Sequence, residues 1–423
     1  STLIGTDAGN TWELEGVNSG TLNTDTTFSL FANLKGGAGS DTFDFTKGGS
    51  VTGSVVGNGT GVTNTVIAAD IANEWNITDN GVGTLHKDID AGTQFEGAVV
   101  TQFSGIQNIT GAGNTDIFVF GASGSISGKV DGKGGINTLM ARDGVENTWA
   151  FTDLNSGSVT QVSGAVKYVN EFTNITKFIA GGSAEQADFS GMDAVSISAS
   201  DYVGFTSFKG KENAGNTFTA TEAVNTWVID GVNDGTLNGT ITFINFANLT
   251  GNAQADSFDF SQGGSITGTI DGVGDSNTII GQNVASEWDI NKANEGALYL
   301  DNSADGFGTA YVAKFTNIQN VTGGSESDSF VFTGAGALLD GELDGGAGTN
   351  TLIARDFANA WNIDNANQGV LYSGTSNSDF IASNQIASFK QIQNITGGSN
   401  SDIFIFGTSG SIVGTLDGGN GTN

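Results

Sequence analysis

The sequence predicts an all-β protein, a right-handed parallel β-helix (β-solenoid) in which short strands stack coil upon coil. Three observations predict this fold: six tryptophans recur in one motif, apolar and polar residues alternate in short runs, and none of the 423 residues is proline. Alternating runs bounded by Gly, Asn, Asp and Ser are typical of strands with one buried face. Proline cannot donate the N–H that an inner strand gives its neighbour, so its absence fits a continuous stack.

The tryptophans mark one sequence repeat, six times over. They are Trp12, Trp75, Trp149, Trp227, Trp288 and Trp361, each followed two residues later by an apolar residue. The last three follow the first three by 215, 213 and 212 residues, which indicates a duplicated block of three repeats. Units this small cannot bury a core alone and must stack on their neighbours. We therefore predict a single continuous solenoid over residues 1–423, with repeats 1–63, 64–136, 137–215, 216–276, 277–349 and 350–423.

Each repeat contains the same elements in the same order. An Asn-Thr start leads into the tryptophan strand, a Gly-x-Leu strand, a stretch such as Ile106–Thr110, a glycine turn, an Asp-x-Phe-x-Phe strand and a second glycine turn. We expect about three coils of roughly 20–25 residues in each repeat. The third repeat is divergent: we expect it to lose the Asp-x-Phe-x-Phe strand, because it has Ala187-Asp188-Phe189-Ser190 instead.

The recurring aromatic and amide residues have structural explanations. Trp and Phe alternate with polar positions beside a constant apolar partner, which predicts that they face the interior rather than form sugar-stacking platforms. Asn-x-Thr sequons recur at one place in the repeat, which predicts an internal asparagine ladder rather than glycosylation. The sequons begin at Asn108, Asn174, Asn248, Asn320 and Asn394.

Charge and composition exclude several classes of partner. Lys and Arg number 14 against 45 Asp and Glu, which gives a net charge of −31. Such a chain is repelled by nucleic acid and anionic lipid and attracted to divalent cations or basic partners. No apolar run approaches the roughly 18 residues of a membrane span, so we predict no membrane insertion in this segment. The absence of cysteine removes disulfides and thiolate metal sites.

One motif suggests calcium. Residues 36–44 match the calcium nonapeptide G-G-x-G-x-D-x-U-x, and each such Asp precedes the next Asn-Thr start by 21 to 23 residues, about one coil. Two glycine turns should therefore stack on adjacent rungs and offer the six to eight oxygens that calcium needs. The alternative is a hydrogen-bonded ladder of Asn and Asp without metal. The candidate calcium ligands are Asp41, Asp116, Asp131, Asp256, Asp271, Asp328, Asp344, Asp402 and Asp417.

Three repeats carry longer loops after the Gly-x-Leu strand, at 86–100, 299–314 and 372–390. Aromatic residues on loops of a rigid scaffold are a plausible contact surface. We expect these loops to project from one side, and the alternative is that they fold back over the coils. The candidate contacts are Phe95, Tyr299, Phe307, Tyr311, Tyr372 and Phe380.

An enzyme is not predicted. Catalysis needs a local, non-repeating set of acid, base and electrophile, and no such set is visible in the sequence. The single histidine, His86, lies beside Lys87 and Asp88 without a nucleophile motif. A polysaccharide-processing β-helix enzyme therefore stays an alternative, and the abundant carboxylates are the one feature in its favour.

Units of the form Asn-x-x-Trp-x-Ile, Asn-x-Gly-x-Leu, Phe-x-x-Ile-x-Asn-Ile-Thr-Gly-Gly, Asp-x-Phe-x-Phe and Asp-Gly-Gly-x-Gly span almost the whole chain, except for the second half of the third repeat. They resemble the repeats of large exported bacterial adhesins of the filamentous-haemagglutinin type, often secreted by the two-partner route. The glycine turns are similar to those of calcium-dependent repeat proteins.

This resemblance implies a rigid β-helical rod at the bacterial cell surface or in an extracellular filament, serving adhesion or biofilm matrix assembly. Its partners would be cell-surface or matrix components, polysaccharide or like rods. A calcium-dependent surface-layer or matrix protein is the alternative, with calcium as the one cofactor suggested.

Overall fold

A computed structural model describes residues 1–87, 97–182, 184–300 and 311–423. Their contacts divide the chain into two compact units, Ser1–Asp193 with Asp201–Lys209, and Ala194–Ser200 with Gly210–Asn423. The boundary falls in the divergent third repeat. The regular structure in the described ranges consists of short β-strands and four 3-10 helices. These helices are Ser163–Ala165, Ala199–Asp201, Asn377–Asp379 and Ala382–Asn384. No helix in these ranges is long and apolar enough to cross a membrane.

The first unit contains the strands of the first three repeats. Those of the first repeat are β1 (Thr2–Ile4), β2 (Thr11–Gly16), β3 (Ser19–Leu22), β4 (Thr26–Ser29), β5 (Asn33–Lys35), β6 (Thr42–Asp44) and β7 (Ser54–Val56). Those of the second are β8 (Thr65–Ile67), β9 (Asn73–Asp79), β10 (Val82–Lys87), β11 (Ala98–Ser104), β12 (Asn108–Thr110), β13 (Asp116–Phe120) and β14 (Ile126–Asp131). The third supplies β15 (Thr138–Met140), β16 (Asn147–Asp153), β17 (Ser156–Gln161), β18 (Val166–Thr173), β19 (Lys177–Ile179), β20 (Glu185–Asp188), β22 (Tyr202–Val203) and β23 (Ser207–Lys209).

The second unit begins with β21 (Ser196–Ser198) and continues with the last three repeats. The fourth repeat forms β24 (Thr217–Thr219), β25 (Thr226–Ile229), β26 (Gly235–Leu237), β27 (Ile241–Ile244), β28 (Asn248–Thr250), β29 (Ser257–Asp259) and β30 (Thr269–Asp271). The fifth forms β31 (Thr278–Ile280), β32 (Ser286–Lys292), β33 (Glu295–Leu300), β34 (Tyr311–Thr316), β35 (Asn320–Thr322), β36 (Ser329–Phe332) and β37 (Glu342–Asp344). The sixth forms β38 (Thr351–Ile353), β39 (Asn359–Asn365), β40 (Gln368–Ser373), β41 (Gln385–Lys390), β42 (Asn394–Thr396), β43 (Ile403–Phe406) and β44 (Leu416–Asp417).

Within each unit, successive strands alternate between two sheets, and strands one coil apart pair in parallel. In the first unit β6 pairs with β8, with Phe43 opposite Val66. In the second unit β29 pairs with β31, with Phe258 opposite Ile279. The prediction of an all-β protein is confirmed, and these long, parallel-rich sheets are compatible with a β-solenoid.

The tryptophan strand of each repeat opens a three-stranded antiparallel meander within one sheet. The meanders are β2–β4, β9–β11, β16–β18, β25–β27, β32–β34 and β39–β41. In the second repeat the last meander strand, β11, pairs in parallel with the earlier strand β7, and the first, β9, pairs with the later strand β13. The meander therefore adds rungs to the sheet without interrupting the parallel stack.

The meanders also change the coil count that we expected. The fifth repeat visits the two sheets in the order β31, meander, β35, β36 and β37, which is five visits or two and a half coils rather than three. Because five is odd, the next repeat starts in the other sheet. The meander β32–β34 of the fifth repeat lies in the sheet of β36, whereas the meander β39–β41 of the sixth repeat lies in the sheet of β35 and β37. Every repeat except the third gives four strands to one sheet and three to the other, so the alternation keeps the two sheets of the second unit similar in length.

Aromatic rings stack in the core of each unit. All six tryptophan side chains are fully buried, as expected. Trp288 stacks on Phe330 of the parallel neighbour strand at 5.7 Å and 16°, while Phe315 of the third meander strand approaches its face at 60°. The first, second, fourth and sixth repeats show the same stacked pair at 12° to 14°. Such pairs contribute about 0.5–1.5 kcal/mol each beyond the area they bury.

The glycine of the Gly-x-Leu strand makes room for this aromatic packing. A Cβ built on Gly296 would clash with the carbonyl oxygen of Asp289 and lie 2.7 Å from Cζ of Phe315. Gly83, Gly157, Gly235 and Gly369 face the same two neighbours, a carbonyl of the tryptophan strand and the phenylalanine of the third strand. The central strand of the meander therefore needs glycine so that the phenylalanine can cross it.

We expect Gly296→Ala to lower the free energy of unfolding by about 1–3 kcal/mol, because the methyl group overpacks the meander. The measurement is urea unfolding followed by tryptophan fluorescence. Gly336→Ala is the matched control, since a Cβ there meets nothing within 4 Å. Equal midpoints for the two variants would contradict the packing role of the glycine.

Candidate functional site: turn edges and lateral loops

The paired glycine turns stack on adjacent rungs, as their spacing predicted. In the fifth repeat the N–H of Gly323 donates to the carbonyl of Asp344 at 2.8 Å, and the N–H of Ala347 donates to the carbonyl of Gly324 at 3.0 Å. In the second repeat the N–H of Gly111 donates to the carbonyl of Asp131 at 2.8 Å. The backbone thus brings the two turns of a repeat together at one edge.

The aspartates that begin the phenylalanine strands are buried in a hydrogen-bond network. Oδ1 of Asp328 accepts the N–H of Ser286 at 2.9 Å, and Oδ2 accepts the N–H of Gly324 at 2.8 Å. The N–H of Asp328 donates to Oδ1 of Asn350 one coil later at 2.9 Å. Asp41, Asp116, Asp256 and Asp402 are equally buried and bond to the corresponding asparagines. In four of the five the carboxylate joins the glycine turn to the tryptophan strand, and the backbone N–H of the same aspartate bonds the next coil. Asp41 differs, because its Oδ2 has no hydrogen-bond partner.

The aspartates before the second turn have a different role. In Asp131, Asp271, Asp344 and Asp417 one carboxylate oxygen accepts the backbone N–H two residues ahead. Asp131 also accepts a hydrogen bond from Nδ2 of Asn174, and Asp271 accepts one from Nδ2 of Asn317, both at 2.7 Å. A carboxylate oxygen of Asp344 lies 3.2 Å from Nζ of Lys390. Three of the four side chains therefore link a turn to the end of the following meander.

The hydrogen bonds correspond to the ladder alternative of the sequence analysis. Across the described ranges, no three acidic or histidine side chains are grouped so that they could hold a metal ion. The nine aspartates are divided between two kinds of network, with separate partners. Calcium binding at these residues stays a prediction.

The sequon asparagines form a second ladder. Oδ1 of Asn108 accepts the N–H of Lys129 one coil later at 2.8 Å, and Asn248, Asn320 and Asn394 make the equivalent bond. Asn174 instead bonds Asp131. The predicted ladder is present at four of the five sequons. These asparagines are half-buried beside a buried central residue, so they lie on the outer face of the strand and the expectation of an internal ladder is wrong.

Burial changes the acidity of two of the ladder carboxylates. Desolvation raises the pKa of Asp116 to about 6 and that of Asp328 to about 7, while the hydrogen bonds from the turn and from the tryptophan strand oppose the shift. Both carboxylates therefore titrate close to neutral pH.

Glu185 is a functional equivalent of these aspartates that sequence analysis missed. It begins β20, where Ala187 lies opposite Trp149. The third repeat therefore keeps the strand as Glu-x-Ala-x-Phe, and the expected loss of the strand is wrong. Glu185 accepts Nδ2 of Asn147 at 2.6 Å and Nε1 of Trp149 at 2.8 Å. The glycine pair Gly181-Gly182 ahead of it was the available signal.

The longer side chain of Glu185 has a specific consequence. The indole N–H of Trp149 is hydrogen-bonded, whereas the other five tryptophans have no partner for theirs. Aspartate is shorter by one methylene, which accounts for the difference. Unmet buried donors of this kind cost about 1–3 kcal/mol each unless water reaches them.

The lateral loops do not all leave from the same sheet. The hairpin β33–β34 and the hairpin β40–β41 belong to different sheets of the second unit, so the expectation of one projecting side is wrong. The cause is the odd number of sheet visits in each repeat. Phe95 and Phe307 lie outside the described residues.

The described loop aromatics pack against their own hairpins. Tyr372 and Phe380 are in ring contact at 4.9 Å, in a loop where Asp379 accepts the N–H groups of Thr375 and Ser376 at 2.9 Å. Tyr299 and Tyr311 meet edge to face at 6.5 Å. The sixth-repeat loop therefore folds back on itself, while Tyr299 stays beside an open depression of about 200 Å³.

The surroundings of the single histidine are also structural. His86 lies on β10 and is buried, with Nε2 2.9 Å from Oγ1 of Thr84 and Nδ1 3.1 Å from the carbonyl oxygen of Gly97. Asp88 lies outside the described residues. Both ring nitrogens of His86 thus have partners within the meander.

The raised pKa of Asp328 predicts stabilisation by acid. A raised folded-state pKa means that the folded protein binds the proton more tightly, so this stability is complete below the ordinary value of 3.8 and is lost as the pH rises through about 7. We expect the melting temperature to increase between about pH 7.5 and about pH 4.5, a range that includes the raised pKa values of both Asp116 and Asp328.

The Asp328→Asn variant should show a smaller increase, because it removes one titrating group. Asp364→Asn, at an exposed position, is the control that should keep the full increase. A melting temperature of the unsubstituted chain that falls with acid over this range would contradict the assignment.

Comparison of the chain with known protein families, with curated proteins and with solved structures found no match.

Proposed function

We propose that the chain is a structural and adhesive segment of a bacterial cell-surface or extracellular filament. The observation that carries this proposal is the double ladder, in which backbone and side-chain hydrogen bonds both run from each coil to the next. A unit built in this way resists bending and extension, because deformation breaks bonds in several coils at once. Right-handed coiling and the six predicted repeats are part of this proposal.

Charge and surface composition support an extracellular, adhesive role. The net charge of −31 keeps such chains soluble and apart from one another. Ile381, half exposed in the sixth-repeat loop, adjoins the Tyr372–Phe380 pair and offers an apolar contact. We propose that cell-surface or matrix components bind these hairpins, while the ladders hold the hairpins in place.

Adhesion is tested with beads coated with the chain and passed over hydrophobic glass and over immobilised matrix polysaccharide under flow. We expect retention several-fold above beads coated with an unrelated acidic protein. Ile381→Ser should reduce retention on hydrophobic glass. Val413→Ser, which replaces an exposed apolar residue outside the hairpins, is the control. Retention no greater than that of the unrelated protein on both surfaces would remove the proposed function.

A calcium-dependent matrix protein is a second candidate, favoured by one depression. It measures about 440 Å³ and is lined by Asp356, Asp417 and the glycine turns at 397–398 and 419. Carboxylate and carbonyl oxygens of this kind are the ligands that calcium prefers.

If calcium binds there, millimolar calcium should raise the melting temperature above that in chelator, since a ligand present at 100 times its Kd stabilises by about 2.7 kcal/mol. Asp417→Asn should reduce the shift, and magnesium should not reproduce it. Identical melting curves in calcium and chelator would exclude this candidate.

A further inference from the structure

A shallow depression on the outer face of the fifth-repeat meander has a floor made by one small side chain. Ala297 lies in register between Lys314 on one neighbouring strand and Asp289 on the other. The larger side chains around it rise above the alanine and leave a space of about 200 Å³.

The walls of the depression differ in chemistry. Alternate residues of a strand share a face, so Glu295 and Tyr299 flank Ala297 along β33. Asn291 lines the side near Glu295, and Lys314 lines the opposite strand. The site thus combines a half-buried aromatic ring, a carboxylate, an amide and an ammonium group. Oε1 of Glu295 accepts Nζ of Lys292 at 2.6 Å and Nδ2 of Asn291 donates to Asp289 at 3.3 Å, which leaves Oε2 of Glu295 and Oδ1 of Asn291 to face a ligand.

This combination is not a by-product of the repeat. In the sixth repeat the registered positions carry Val370 and Ser388 in place of Ala297 and Lys314. In the second repeat they carry Thr84 and Gln102. The second and sixth repeats form the same meander with a larger residue in place of Ala297 and without a lysine in place of Lys314. The fold therefore does not require the fifth-repeat residues at these two positions.

Local charge restricts what the depression can bind. Lys314 lines the depression, and its Nζ lies 4.5 Å from the centre of the neighbouring Tyr311 ring. An ammonium group at the wall of the site repels a cationic ligand. Glu287 lies opposite Tyr299 in the strand register, and Asp289 lies two residues further along the same strand. Burial and, after it, the charges of Asp289 and Glu287 raise the pKa of Tyr299. These carboxylates and the net charge of −31 oppose an anionic ligand.

A neutral ligand rich in hydroxyl groups avoids both the repulsion of cations and the repulsion of anions. We propose that this depression binds one neutral pyranose residue of a polysaccharide. The C–H face of the sugar packs on Tyr299, Glu295 and Asn291 bond its hydroxyl groups, and Lys314 donates to a ring or hydroxyl oxygen. The proposal rests on the adhesive function above for its choice of a polymeric partner.

The size of the site agrees with a polymer rather than a free metabolite. Pockets that enclose whole small molecules measure roughly 300–1,000 Å³, and this depression is smaller and open. A single sugar residue is therefore held weakly. Many copies of the chain on one filament would raise the overall affinity through effective concentration.

The test is isothermal titration calorimetry of the full chain with cellotetraose, maltotetraose, mannotetraose and galactotetraose, and with trigalacturonate as the acidic counterpart. We expect at least one neutral tetrasaccharide to bind. Ala297→Val, which copies the sixth-repeat residue and fills the floor, should weaken that binding at least about tenfold at an unchanged melting temperature. Val370→Ala is the matched control and should leave the affinity unchanged.

If Ala297→Val lowers the melting temperature, Lys314→Gln replaces it in the test. Lys314 is exposed, and loss of its ammonium group should weaken sugar binding similarly. Absence of binding by all four tetrasaccharides, equal affinity of both variants, or stronger binding of trigalacturonate would overturn the proposal. Bead retention separates the two proposals: retention without sugar binding removes this site alone, whereas sugar binding without retention removes the adhesive function alone.

Discussion

The structure depends on hydrogen bonding that runs from coil to coil and includes side chains as well as the backbone. A short strand of three residues has few backbone bonds of its own, and its turns leave further N–H groups buried. Asp328 and Asn350 meet this need in the fifth repeat, where they bond the turn, the tryptophan strand and the next coil. Strands this short are therefore held in register by the side chains at their ends as much as by the backbone hydrogen bonds between them.

The same network explains why so many polar residues can be buried without forming an active site. A buried carboxylate or amide is costly unless it is paired, and low dielectric then strengthens each bond that it makes. Asn10 and Asp41, for example, bond each other from different coils at 2.6 Å. A pattern of Asp and Gly that suggests metal ligation can therefore equally satisfy a folding requirement.

Sequence reasoning recovered the features that recur and missed those that depend on counting strands. The buried tryptophans, the stacked turns and the asparagine ladder at Asn108 followed from periodicity and constant spacing. The meander did not, because an antiparallel excursion has the same alternating pattern as a parallel strand. The role of Glu185 was missed because a single substitution changes the motif, although the geometry is preserved by a longer side chain. The open floor at Ala297 depends on cross-strand neighbours, which a single sequence does not show.

The odd number of sheet visits makes two repeats, rather than one, the true translational unit within the second unit of the chain. Adding or deleting a single repeat there would transfer every later hairpin to the opposite face, while a change by two would leave all faces as they were. Unequal recombination between neighbouring copies would thus alter which hairpins are displayed together. Recombination between copies two apart would alter only the reach of the array.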